Sequence, residues 1–147
     1  MSHPSTNPQQ YHFHKRSPAK ISEIAEISDA IADWAEQCAI PVAIINNVIL
    51  MLDELMTNVV THGYGDQQDG EMEISLELRD KQVIACLRDQ APAFDPFSIA
   101  EADTSLDLEQ REIGGLGVHF VRKMADSFAY QRSGDSNEVR FSKKIPV

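Results

Sequence analysis

Asp53-Glu54-Leu55-Met56-Thr57-Asn58-Val59-Val60-Thr61-His62-Gly63-Tyr64 is the stretch on which the fold of this chain turns. It closes a helical pattern whose apolar stripe is Ile45, Val48, Ile49, Leu52, Leu55, Met56 and Val59. The helix is predicted to run to about His62, where Gly63-Tyr64-Gly65-Asp66 supplies a left-handed cap and a turn. At about 100° per residue, Asn47, Glu54 and Asn58 share a second stripe, with His62 slightly round from it. That stripe reads as the solvated face of an amphipathic helix. Against this, Asn46, Asn47 and Asn58 are mediocre helix formers set inside a helix. Glu54 and Asn58 are i, i+4 neighbours, so both side chains can reach one ligand. A carboxylate can orient or deprotonate a hydroxyl, and an amide oxygen can ligate Mg2+.

Working back from this helix, Ala39-Ile40-Pro41 is a break with Pro41 near the helix start. Ile21, Ile24, Ala25, Ile27, Ser28, Ile31 and Trp34 recur at helical spacing and predict an amphipathic helix over 19–38. Pro18 permits its start, and the weak alternation of Tyr11-His12-Phe13-His14-Lys15 predicts a short first strand. Residues 1–10 read as a disordered tail, leaving one domain over 11–147.

Working forward, Glu71–Arg79 alternates and Lys81–Arg88 is a tighter apolar run, with Asp80-Lys81 as the hairpin turn. Pro92 and Pro96 frame another turn. Residues 97–113 hold five acids against the single base Arg111, and read as a mobile lid. A third helix is expected over Val118 to about Asp126, then strands over Ser127–Arg132 and Glu138–Ile145. Hairpins with few crossovers imply an α+β fold: a mixed, mostly antiparallel sheet with helices on one face.

The 147 residues fit one domain, and 42% hydrophobic content suffices for its core. A formal net charge of -10 argues against nucleic acid, where Lys and Arg must neutralise phosphates, but not against one small anionic ligand. Cys38 and Cys86 read as buried free thiols. The start has no signal pattern, and the apolar stretch Ile40–Leu52 is interrupted and too short to span a bilayer. No membrane association and a cytoplasmic location are therefore expected.

Further candidates lie outside the second helix. Gly114-Gly115-Leu116-Gly117 directly precedes the third helix, where free N–H groups bind phosphate and glycines allow close approach; a plain turn or lid hinge is the competing reading. His119, in the first turn of that helix, either faces the phosphates or the surface. Asp89 ends an apolar strand and either forms the turn or accepts a hydrogen bond from a base amino group. His12 and His14 alternate on a strand with no further ligand at metal-binding spacing.

Taken together, these segments resemble the boxes of the GHKL ATPase/kinase superfamily, in particular its short stand-alone branch, the anti-sigma-factor serine kinases. Asp53 to Tyr64 resembles the N box, Asp89-Gln90-Ala91-Pro92-Ala93-Phe94-Asp95-Pro96 the first glycine box with its following Phe-Asp-Pro, and Gly114 to Arg122 the second glycine box. Asp126, Tyr130 and Asn137 fit later positions of the same pattern. The resemblance implies a Bergerat-type two-layer α/β sandwich that binds ATP and Mg2+. It implies Glu54 as catalytic base and Asn58 as Mg2+ ligand. It places Asp89 at the adenine amino group, and Gly114, Gly115, Leu116, Gly117, Val118 and His119 around the phosphates. His62, Ala91 and Ala93 join the nucleotide-binding set. The implied activity is phosphorylation of a serine on a small STAS-type antagonist domain, by a homodimer that alternately binds a sigma factor. The sequence departs from the pattern at Ala91 and Ala93, where glycines are usual. A non-catalytic module that sequesters a regulator is the alternative this departure raises.

Overall fold

The computed structural model describes residues 11–65, 69–98 and 113–146, with the backbone alone at 113–117 and at 119. The tail 1–10 and most of the expected lid lie outside the described residues. Strand β1 (His12–Pro18) leads into α1 (Ile21–Gln37) and α2 (Val42–Asn58), which passes into a π-helical turn over Val59–Tyr64. The hairpin β2 (Glu71–Arg79) and β3 (Gln82–Asp89) follows, then a short 3-10 turn (Pro96–Ser98), α3 (Ile113–Met124), and the hairpin β4 (Ser127–Ser133) and β5 (Ser136–Lys144).

The five strands form one antiparallel sheet in the order β1-β2-β3-β5-β4. Alternation sends Met72, Ile74, Leu76, Val83, Ala85, Leu87, Val139 and Phe141 to one face, all buried. Helix α2 lies on that face and supplies Val48, Met51, Leu52, Leu55 and Met56 to the core, with α1 and α3 packed on either side of it. The opposite face is polar. There Arg16, Glu73, Arg88 and Glu138 stand in register as a ladder of alternating sign, with Arg88 Nε 2.8 Å from Glu138 Oε2. Burial alone would raise the Glu138 carboxyl, but its bonds from Arg88 and Arg140 outweigh this and hold it below its usual value. This asymmetry is why the helices form a single layer.

The turns follow local chemistry. Asp80 and Lys81 both take positive φ, 54° and 59°, the geometry that joins two-residue hairpins without splaying the strands. Pro18 ends β1, opposite Glu71, and so lies two residues short of the helix it was expected to open. Helix α3 begins at Ile113, so the glycine stretch forms its first turns, where the sequence pattern placed a turn before Val118. The helical run Val42–Tyr64 is long and apolar enough to cross a bilayer by length and composition alone. Its apolarity serves the core of the sandwich, where five of its side chains are fully covered.

Candidate functional site

Asn58 is the last residue of α2 and is 2 % exposed, which corrects the solvated-face reading of its stripe. Both Oδ1 and Nδ2 are buried with no hydrogen-bond partner among the described residues. Such an amide costs about 1–3 kcal/mol, so a buried one without a partner calls for an explanation such as a ligand. Glu54, one turn earlier, is half-buried. Burial pushes its carboxyl above the usual range, and the neighbouring Asp53 charge adds to the rise. Asp53 is raised by burial too, against a bond from Ser28 Oγ at 2.5 Å that ties α1 to α2.

The π-helical turn explains why Asn58 and His62 part company. Its wider winding, marked by Gly65 N–H donating to Val60 O at 3.1 Å, carries His62 out to solvent while Asn58 stays covered. His62 instead stacks on Phe94, ring centroids 6.2 Å apart. Gly63 faces the Asp89 loop so closely that a Cβ there would lie 3.1 Å from the Ala91 methyl. Tyr64 turns inward, and its hydroxyl donates to Glu71 O at 2.6 Å and accepts from Gln90 N–H at 2.8 Å. The strand end is thereby fixed to the helix end.

Asp89 closes β3 and is 8 % exposed. Burial raises its carboxyl above the ordinary Asp value, while bonds from Asn137 and the Ala91 N–H and the nearby Arg132 charge pull the other way. Ala91 is fully buried and Ala93 exposed. Neither has a positive φ, so the missing glycines cost the loop no backbone strain. Asn58, Gly63, Asp89, Phe94 and Asn137 line a common cavity of about 20 Å³. It has room for a single water, and the half-buried Phe94 forms part of its wall. Two larger clefts, about 310 and 340 Å³, open on the polar sheet face, but neither includes Asn58.

The glycines at 114, 115 and 117 form the start of α3, which packs against α2 and buries Val118 and Val121. A helix start there supplies N–H groups without partners in its own helix. The side chains of Leu116 and His119 lie outside the described residues. Asn137 was not among the predicted site residues, although it is 3 % exposed and bonded directly to Asp89. Its one signal in the sequence was its fit to the family pattern before the last strand.

The family model of the histidine kinase-like ATPase domain matches residues 17–143. The chain belongs to that family. Membership implies ATP as the ligand class. The domain is 25% identical over 119 residues to an anti-sigma F factor of Clostridium beijerinckii, covering 80% of this chain and 83% of that protein. It is 23% identical to the serine-protein kinase RsbW of Listeria monocytogenes over 113 residues, 74% of this chain and 72% of the relative. Among solved structures it resembles a chain of the SiaB-SiaC complex from Pseudomonas aeruginosa, with TM-score 0.65 and 15% identity over 91% of this chain and 90% of the other. That likeness is one of fold, and it agrees with the α+β sandwich read from the strand and helix order.

Proposed function

We propose that this domain is an ATP-dependent serine protein kinase of the anti-sigma-factor type, which regulates transcription by switching between protein partners. The observation that carries this reading is the Asn58 carboxamide, buried and without a partner among the described residues, on the rim of a cavity shared with Asp89. A donor set of one neutral amide, with no metal-holding cluster of acids among the described residues, suits a Mg2+ that arrives with phosphates. Asn58 would hold that ion, which when bound neutralises charge on the transferring phosphate. Asp89 would accept from the adenine amino group, and the N–H groups at the start of α3 would take the phosphates.

Glu54 lies one turn from Asn58 on the same side of α2. In the transfer, a serine hydroxyl oxygen bonds to the γ-phosphorus of ATP, the bond to the β–γ bridging oxygen breaks, ADP leaves, and Glu54 takes the hydroxyl proton. Its raised carboxyl suits a base, since a higher proton affinity strengthens acceptance. The names of the relatives, an anti-sigma F factor and a serine-protein kinase, support a sigma factor and a protein serine as the classes of partner. A STAS-type antagonist domain as substrate and a homodimeric kinase complete the proposal.

Titration calorimetry with Mg-ATP tests the nucleotide step: wild type binds, and Asn58→Ala weakens binding in a Mg2+-dependent way. Equal affinity of the two proteins removes Asn58 from the site. Transfer of labelled phosphate to a purified antagonist domain tests catalysis, and wild type no faster than Glu54→Ala sinks the kinase reading. The second reading, a sequestering module without catalysis, has the small cavity on its side. Absence of heat at millimolar Mg-ATP would favour it.

A further inference from the structure

The loop after β3 is held by side chains rather than by its own turn. Gln90 N–H is bonded to the Tyr64 hydroxyl. Ala91 O accepts from Arg132 at 2.9 Å and from Asn137 Nδ2 at 3.1 Å, Pro92 O accepts from the same Nδ2 at 3.1 Å, and Phe94 N–H donates to Asn137 Oδ1 at 3.2 Å. The Tyr130 hydroxyl also donates to Asn137 Oδ1, a second bond that holds the amide in place, while the Phe94 N–H, which can only donate, identifies that end as the oxygen. Asn137 Nδ2 donates to Asp89 Oδ1 at 2.8 Å, and Ala91 N–H donates to that same oxygen at 2.9 Å. Both bonds land on Oδ1, so the carboxyl plane is set and Oδ2 is the oxygen these two bonds leave for a ligand.

We infer that Asn137, oriented by Tyr130, is the positioning residue for base recognition: it shapes the loop that lacks glycines at 91 and 93 and aims the Asp89 carboxyl at the amino group of the base. This rests on the nucleotide reading above. It assigns adenine selectivity to a side chain on the opposite hairpin, placed against Asp89 by the β3–β5 register. Phosphate affinity is a separate property of the α3 start.

The test compares ATP, inosine triphosphate, which lacks the 6-amino group, and inorganic tripolyphosphate, each with Mg2+, on the full chain. Wild type is expected to prefer ATP over inosine triphosphate by about tenfold or more. Asn137→Ala should bring that ratio to within about threefold while tripolyphosphate affinity holds within about twofold. Tyr130→Phe, which removes only the hydroxyl that orients the amide, should lower the ratio by about threefold and decides the matter if Asn137→Ala does not fold. An unchanged ratio in folded Asn137→Ala, or in Tyr130→Phe when that variant decides, overturns the inference. So does equal loss of all three ligands, which marks a merely structural role, or a wild type that binds ATP and inosine triphosphate alike. A wild type that binds none of the three instead overturns the nucleotide reading, and this inference falls with it.

Discussion

Replacing Asn58 by Leu should make the protein more stable and useless to its ligand. The two side chains branch alike, so Leu fits the volume of the amide with slightly larger end groups. The adjoining cavity of about 20 Å³ takes up the difference. The neighbours there include Leu55, Val59, Leu87 and Val139, all apolar. Removing a buried amide with no partner among the described residues should recover about 1–3 kcal/mol. For a domain of this size that is a rise in Tm of roughly 2–10 °C in the absence of nucleotide. Thermal unfolding with and without Mg-ATP measures both halves of the claim. Wild type at about 100 times Kd should gain about 2.7 kcal/mol from the ligand, and Asn58→Leu should gain almost nothing. A variant less stable than wild type without nucleotide would refute the reasoning about the orphaned amide. A variant that keeps the wild-type gain from Mg-ATP would refute the assignment of Asn58 to the ligand.

Other substitutions test neighbouring links. Asp53→Asn removes a negative charge beside Glu54, so the acid limb of phosphoryl transfer should move to lower pH; an unmoved limb disconnects the two residues. Asp53 itself has a raised folded value, so its ionisation opposes folding: that stability is present below the ordinary Asp range and is lost as pH rises through the raised value. Asp53→Asn should therefore flatten the fall in unfolding midpoint from about pH 4 upward, as urea titrations at several pH values would show. Gly70→Ala would place a Cβ 2.6 Å from the Tyr64 ring, and should cost about 1–3 kcal/mol in urea unfolding while also weakening Mg-ATP through the displaced Gln90 contact. Glu138→Gln should lower stability by no more than about 1 kcal/mol near pH 7, because Arg88 is half exposed, and the loss should vanish in acid as wild-type Glu138 is itself protonated; a larger loss would mean that the outer-face ladder is structural.

Much of the architecture was legible because its causes are local. The period-2 runs of β2 and β3, the period-3.6 stripes of α1 and α2, and the turns at Asp80-Lys81 and Gly65 depend on residues a few positions apart, and each element lies within a few residues of its expected place. Helix α3 starts earlier than the glycine pattern suggests, because glycine disfavours a helix by only about 1 kcal/mol per residue and does not forbid one. At Ala91 and Ala93 the family pattern has glycine but the local geometry does not require it, since neither residue takes a positive φ.

By itself, the sequence determined the element order, the sandwich class and the pairing of Glu54 with Asn58 on one helix face, since all three follow from periodicity along the chain. Only the tertiary structure decided what that face meets. Asn58 is buried beside a cavity that it shares with the loop after β3 and with β5, and its amide has no partner among the described residues, where helical geometry alone turned it to solvent. Strand register alone brought Asn137 onto Asp89 across 48 residues of sequence. Burial and long-range register depend on how separate elements pack together, and no local pattern carries that information.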